Sequence, residues 1–259
     1  NDAKGDFLSL YKVIYPVGDT RLDAGFAAAV RLAVEKGSTF VVNAELLAKY
    51  PDAFDSDFLG VELTQETGKS PSTWSRFEDT LVKEAKPYSY RVVKPLVGTS
   101  VAAVTTDDAL APAVTVKKVG KGRVVVTTPA HMKPERSMNG MLNLFDHLVR
   151  RVRAEALPVK VKTEMQYQVN RNATSWLVYL NNNSGIPPET GVFNGPPPKT
   201  DITKVECASI GIPSSLGKVV KVLDWWSGRE LAFEANAKGA ELTVSLPGGD
   251  CAVIEYVLE

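Results

Sequence analysis

The hydrophobic and polar positions follow one periodicity before Pro158 and another after it. Before it, short β-branched runs such as 39–42 alternate with segments, such as 138–152, whose apolar residues recur at helical spacing. Buried strands alternating with amphipathic helices predict an α/β domain with a mostly parallel sheet. After Pro158 the period is two, and turn residues separate short apolar runs, which predicts an antiparallel β-sandwich. We therefore predict two domains, residues 1–157 and 158–259.

Capping residues predict where the helices of the first domain begin and end. Thr20, followed by Asp23, has the spacing of a capping box and predicts a helix that ends at Gly37. Ser137 is the expected N-cap of the long amphipathic helix. That helix should end before Pro158, because a proline disfavours helical backbone in the residue that precedes it.

The strands of the first domain are predicted from short apolar runs and turns. Residues 11–16 are the first predicted strand, and residues 115–128 form a hairpin with a Gly-Lys-Gly tip. The tip joins two strands and is not a phosphate-binding loop. The stretch between these strands is less regular, and residues 58–63 are predicted to be either a short strand or an extended segment. Residues 68–75 are predicted to be an exposed loop.

The charge balance constrains the partners. Lys plus Arg and Asp plus Glu each number 30, so the formal net charge is zero. A neutral chain gives no electrostatic reason to expect nucleic acid or an anionic membrane as partner. No apolar run is long enough to cross a bilayer. We interpret the basic residues Arg150, Arg151 and Arg153 as complements to the dipole at a helix C-terminus.

Two cysteines, Cys207 and Cys251, lie outside any metal-binding or cofactor-binding motif, and we expect no metal and no cofactor. They are either two buried thiols or a disulfide between strands, which requires close Cα atoms. A disulfide would imply an oxidising compartment. We favour a secreted or periplasmic location over a cytoplasmic one.

Polar residues follow three predicted strands of the first domain: Asp19, Asn43 with Glu45, and His131. Ligands of open α/β sheets bind at the carboxyl ends of the strands, so these residues would share one rim if the strands are neighbours. The rim is either a polar pocket in which His131 transfers protons, or a set of helix caps beside a loop histidine. We favour the caps.

Trp225 and Trp226 are adjacent and, on a strand, would point to opposite faces. We expect one in the core and the other exposed. Trp226 is our candidate for the exposed ring, which could stack on a sugar.

Several segments together resemble the C-terminal part of bacterial glycoside hydrolases, over nearly the whole chain. They are DFLGVEL (57–63), VGKGRVV (119–125), YQVNR (167–171), WLVYLNN (176–182) and VLDWWSGREL (222–231). In such proteins a flavodoxin-like, class I glutamine amidotransferase-like domain precedes a small β-sandwich. The resemblance to family 42 β-galactosidases, in which the α/β domain mediates trimerisation, implies a homo-oligomer.

The sequence departs from an active amidotransferase at the nucleophile. Such enzymes carry a cysteine on the turn after a central strand, but here Asn43-Ala44-Glu45 occupies that turn. His131 and Glu135 match the remaining pair only loosely. We expect an inactive domain that releases no ammonia from glutamine. The usual first strand and helix are missing, so we expect the edge at residues 11–16 to be covered by an upstream segment or another subunit. The alternative is a smaller domain in which residues 1–10 lie over this edge.

These observations favour a non-catalytic accessory region of a larger carbohydrate-active enzyme. The alternatives are an independent sugar- or small-molecule-binding protein that uses the α/β rim, and a hydrolase with an unrecognised pair of acids.

Overall fold

The computed structural model describes residues 5–16, 20–71, 74–84, 86–130, 143–187 and 199–259. The contacts divide the chain into two compact units, Asn1–Ala156 and Leu157–Glu259. We call them the first unit and the second unit. Their border lies next to the predicted one at Leu157 and Pro158. Among the described residues, no helix combines the length and the apolar character that crossing a membrane requires.

The first unit contains a 3-10 helix at Gly5–Leu10, four α-helices and nine strands among its described residues. The helices are α1 (Ala24–Lys36), α2 (Ala44–Lys49), α3 (Ser56–Leu59) and α4 (Asn143–Ala156). The strands are β1 (Val13–Ile14), β2 (Thr39–Asn43), β3 (Val61–Ser70), β4 (Trp74–Phe77), β5 (Thr80–Lys83), β6 (Tyr88–Pro95), β7 (Thr99–Thr105), β8 (Pro112–Val119) and β9 (Gly122–Thr127).

The main sheet of the first unit is mixed, with the strand order β1-β2-β9-β8-β7-β4-β5. Only the pairs β1–β2 and β2–β9 are parallel, and every later pair is antiparallel. The prediction of a mostly parallel sheet was therefore wrong. The connection from β1 to β2 is long enough to contain the crossover helix α1, whereas short turns join β8 to β9 and β4 to β5, and a short turn permits only antiparallel pairing.

Strands β2 and β9 are covered on both faces. Phe40, Val42, Val124 and Val126 pack into one core with side chains of α1 and α3. The intervening residues Val41 and Val125 pack with Leu148 and other apolar side chains of α4 in a second core. Alternate residues of a strand point to opposite faces of the sheet. A strand that is buried on both faces therefore needs apolar residues at every position.

Three local predictions in the first unit need correction. Helix α1 begins after Asp23, whose carboxylate accepts the amide of Phe26, and not at Thr20. Residues 56–59 are helix α3, capped by Asp55, so of the segment predicted at 58–63 only residues 61–63 are extended, in β3. The predicted loop at 68–75 includes the end of β3, which pairs with β6 far along the chain. Ser137 and the first turns of the predicted long helix lie outside the described residues.

The second unit consists of two antiparallel sheets. One has the order β10-β13-β17-β16 and the other β11-β12-β18-β14-β15. The strands are β10 (Lys160–Lys162), β11 (Gln166–Arg171), β12 (Ser175–Asn181), β13 (Glu206–Pro213), β14 (Val219–Asp224), β15 (Arg229–Glu230), β16 (Glu234–Asn236), β17 (Gly239–Leu246) and β18 (Cys251–Leu258). Side chains of both sheets, such as Val178, Ile210 and Tyr256, share one core.

Both cysteines are free thiols. Cys207 is exposed on β13 and Cys251 is half-buried on β18, in the other sheet. The structure thus contains no disulfide between them. The alternative of two buried thiols does not hold for Cys207 either, because this residue is exposed.

Candidate functional site

Two of the predicted rim residues, Asn43 and Glu45, lie in the described part of the chain. Asp19 and His131 lie outside it, so their predicted place on the rim stays a prediction. Trp226 belongs to the second unit.

Asn43 is the last residue of β2 and the N-cap of α2. Both the nitrogen and the oxygen of its side-chain amide form hydrogen bonds within the protein. Its Nδ2 donates to Thr127 O at 3.1 Å, to Thr127 Oγ1 at 3.1 Å and to Pro129 O at 2.9 Å. Its Oδ1 accepts the amide of Glu45 at 2.9 Å, which is the N-cap interaction. Asn43 is buried, with 6% of its surface exposed. The side chain joins β2 to β9 and is not available to a ligand.

Glu45 is held by Arg91 of β6. Arg91 Nη2 lies 3.0 Å from Glu45 Oε2, and Nη1 donates to Thr64 O at 3.1 Å. Within the described part of the chain, Arg91 Nε is buried and has no hydrogen-bond partner. The carboxylate of Glu45 is therefore paired with a mostly buried guanidinium.

A groove of about 270 Å³ lies between α4 and the main sheet. No local pattern in the sequence indicates it, because it is built from residues of β4, β7, β8, β9 and α4. Its apolar wall includes Phe77, Val101, Val125, Leu148 and Val152, and charged residues form its rim.

The charged rim of the groove consists of Glu78, Arg123, Arg151 and Glu155. Arg123 pairs with Glu155, and Arg151 pairs with Glu78 and, at 3.3 Å, with Glu155. Burial works to raise the pKa of Glu155, but the hydrogen bonds and charges of Arg123 and Arg151 outweigh it and hold that pKa below its ordinary value. A carboxyl held ionised in this way is not suited to act as a general acid.

The structure adds specific contacts to the interpretation of the basic helix tail, and Arg151 makes several of them. Its guanidinium stacks over Phe77 at 5.5 Å and connects α4 to the sheet. Arg150 instead pairs with Asp146 of its own helix at 2.8 Å. Arg150 and Arg151 are therefore anchored by specific ion pairs in addition to any interaction with the helix dipole.

Trp225 and Trp226 are both exposed, by 55% and 74%, so the expectation that one belongs to the core was wrong. They lie in the turn after β14. The amide of Trp225 still donates to Val253 O of β18, and the strand pairing ends after it, so alternation does not place Trp226 in the core. Asp224 closes this turn, because its carboxylate accepts from Trp226 N at 3.0 Å and from Ser227 Oγ at 2.7 Å. Trp225 Nε1 donates to Glu255 Oε2 at 2.8 Å.

No family model and no curated protein matches the sequence. Solved structures with a similar fold include Gan42B, a GH42 β-galactosidase from G. stearothermophilus, at 17% identity and a TM-score of 0.55, over 96% of this chain and 32% of that one. A β-galactosidase from Bacillus circulans sp. alkalophilus is similar at 13% identity and a TM-score of 0.52, over 95% and 32%. An α-L-fucosidase isoenzyme 2 from Paenibacillus thiaminolyticus is similar at 12% identity and a TM-score of 0.65, over 100% and 42%.

The chain thus has a fold that recurs within glycoside hydrolases, and it spans about a third of the length of the β-galactosidases it matches. At these identities the likeness concerns the fold and does not extend to an activity. Among the described residues, no cluster of His, Cys, Asp and Glu has the arrangement of a metal site.

Proposed function

We propose that this chain is a non-catalytic accessory and assembly region of a larger carbohydrate-active enzyme. The observation that carries the proposal is the extent of the match, in which 96% of this chain corresponds to 32% of a β-galactosidase chain. A fold that fills one third of a glycosidase suits a supporting role. In this proposal the first unit is an amidotransferase-like domain and the second is a β-sandwich. The partners are an upstream catalytic segment or another subunit.

The environment of Asn43 supports an inactive first unit. By the resemblance, the turn that begins at Asn43 is the place of the amidotransferase nucleophile. Here the Asn43 amide fastens β2 to β9, and Glu45 is paired with Arg91. The same contacts leave Asn43 and Glu45 poorly suited to hold a ligand, which supports the accessory role over a binding protein that uses these two residues.

Activity assays test the proposal. The purified chain is incubated with an aryl β-D-galactopyranoside, an aryl α-L-fucopyranoside and glutamine. We expect neither aryl alcohol nor ammonia to be released above the background of a heat-denatured sample. Release that survives repurification and is abolished by Glu45→Gln or Glu155→Gln, with the variant still folded, would refute the non-catalytic role. The coding sequence upstream of Asn1 gives a second test, in which a barrel with paired carboxylates would support the proposal.

A further inference from the structure

One face of the five-stranded sheet in the second unit carries aromatic side chains that the core does not use. On β12, Trp176, Val178 and Leu180 point into the core, so Tyr179 points to the opposite, outer face. Tyr179 lies directly across from Val253 of β18.

Trp225 extends the same row of residues across the sheet. Its amide donates to Val253 O at 2.9 Å, which continues the pairing of β14 with β18. Two strand spacings, or about 10 Å, therefore separate the backbones of Tyr179 and Trp225. At the other end of the row, Gln168 of β11 pairs with Tyr179.

The Trp225 ring is held in place and still exposed. Its Nε1 donates to Glu255 Oε2 at 2.8 Å, and the other oxygen of Glu255 accepts from Ser175 Oγ at 2.7 Å. The hydrogen bond from Trp225 is the main cause that lowers the pKa of Glu255, so this group is a carboxylate at neutral pH. A ring oriented before a ligand arrives loses little conformational entropy on binding.

The adjacent row contains two hydrogen-bonding side chains, Asn170 and Glu255, with Leu177 between them. Glu255 lies across from Leu177 of β12, and Leu177 lies across from Asn170 of β11. The outer face therefore combines two aromatic rings with a carboxylate and the amides of Asn170 and Gln168. Sugars carry groups that match these side chains. One face of a pyranose ring carries C–H groups, which stack on aromatic rings, and its edge carries hydroxyls, which form hydrogen bonds.

We propose that this outer face, from Gln168 to Trp225, binds a neutral oligosaccharide whose rings stack on Trp225 and Tyr179, with Trp226 beside the first ring. The inference deepens the proposed function, because it assigns carbohydrate recognition to the second unit of the accessory region. The carboxylate of Glu255 favours neutral over anionic sugars, since it can accept hydroxyl hydrogen bonds but repels carboxylate and sulfate groups.

Affinity electrophoresis of the whole chain in native gels tests the proposal. The neutral probes are linear β-1,4-galactan and fucosylated xyloglucan, and polygalacturonate is the anionic probe. We expect at least one neutral probe to retard the protein and polygalacturonate to have no effect. Trp225→Ala and Tyr179→Ala should each weaken the apparent affinity roughly ten-fold, which is the usual scale for loss of a stacked ring.

Two further variants separate stacking from general damage. Trp225→Phe keeps a ring but loses the bond to Glu255, and we expect a loss smaller than that of Trp225→Ala. Val205→Ala changes another exposed apolar residue of the second unit, outside the proposed face, and should leave retardation unchanged. Far-UV circular dichroism checks that all variants are folded.

The proposal is overturned if no neutral probe retards the wild type, or if the aromatic variants are retarded as strongly as the wild type. It is also overturned if Trp225→Ala turns an oligomer into a monomer and no probe binds, because the face is then a protein interface. These outcomes would leave the proposed non-catalytic role unaffected. Glycosidase activity of the chain would refute the non-catalytic role but would not refute carbohydrate binding by this face.

Discussion

At the scale of the residue, Asn43 determines how the sequence turns from strand to helix. One amide satisfies two backbone carbonyls and one hydroxyl while its oxygen caps α2. The three acceptors of the Asn43 amide are buried, and a buried polar group without a partner is costly. Asp23 has the same capping role in α1, but it is exposed and makes a single bond to Phe26 N.

The two caps therefore differ in their expected contributions to stability. Asn43→Ala should lower the free energy of unfolding by about 3 kcal/mol, because it removes a cap and leaves buried acceptors unpaired. Asp23→Ala should lower it by about 1 kcal/mol, the ordinary cost of an exposed N-cap. Urea denaturation of both variants measures the difference. Equal losses would contradict the structural role given to the Asn43 amide.

Glu84 is a second residue whose side chain is isolated from water, with 1% of its surface exposed. Its carboxylate accepts the amides of Asn143 at 2.8 Å and Leu144 at 3.0 Å, at the described start of α4. Burial raises its pKa above the ordinary value, and the two amides only partly oppose this. A raised pKa in the folded state means that ionisation is less favourable there than in the unfolded chain.

This residue should make stability depend on pH. The contribution of Glu84 is fully present below the unfolded pKa, about 4.3, and is lost as the pH rises through the higher folded value. The free energy of unfolding of the wild type, measured relative to Glu84→Gln, should therefore fall over that window. Asp55→Asn is the matched control, because the amide of Phe58 and then Arg31 lower the pKa of Asp55. Its contribution should instead be lost as the pH falls below about 3.9; the same sign for both residues would contradict the assignment.

At the scale of the element, the hairpin of β8 and β9 packs closely against the connection between α1 and β2. At Gly122 a Cβ would lie 2.2 Å from Ser38 O and 2.4 Å from Val34 O, and both are backbone atoms that cannot easily move. Gly98 is different, because its φ of +81° favours glycine while nothing lies within 4 Å of the position that a Cβ would take.

The pair separates close packing from backbone conformation. Gly122→Ala should cost about 3 kcal/mol through overpacking. Gly98→Ala should cost about 1 kcal/mol, the penalty for a left-handed residue with a side chain. Thermal unfolding of the two variants provides the measurement. A cost at Gly122 no larger than that at Gly98 would show that the hairpin can retreat from the α1–β2 connection.

The sequence correctly predicted those elements that depend on residues close together in the chain, such as a cap or a turn. Strand β2, the Gly37 cap and the Gly120–Gly122 hairpin tip are each specified by residues within a few positions. Strand β3 was missed in part because its partner residues on β6 lie 18 to 34 positions away and half of its own residues are exposed. The groove was missed for the same reason, since Arg151 and Glu78 are 73 positions apart.

At the scale of the whole molecule, each unit has its own core. In the second unit the inward side chains of both sheets form one buried cluster, and about one hundred residues are enough for an independent domain. A fragment of residues 157–259 should therefore fold alone, with a β-type circular dichroism spectrum and a cooperative thermal transition. Val178→Asp, which buries a charge at a fully buried position, is the negative control. A fragment as disordered as this variant would mean that the second unit depends on the first.

The remaining question at this scale is what covers the sheet edge at β1. Among the described residues β1 pairs only with β2, and the adjacent side chains Phe7, Leu10 and Tyr11 are exposed by 51%, 76% and 48%. An open edge with exposed apolar side chains beside it favours association with another chain. We predict that the chain self-associates through this edge, in agreement with the oligomer that the resemblance implies.

Sedimentation velocity at micromolar concentration checks this prediction. Leu10→Glu places a charge among the apolar side chains beside β1 and should shift the protein to the monomer without unfolding it. The matched control is Leu81→Glu on β5, which is 58% exposed at the opposite edge of the same sheet and should leave the assembly unchanged. A wild type that sediments as a monomer, or two variants that dissociate the assembly equally, would show that the β1 edge is not the contact between subunits.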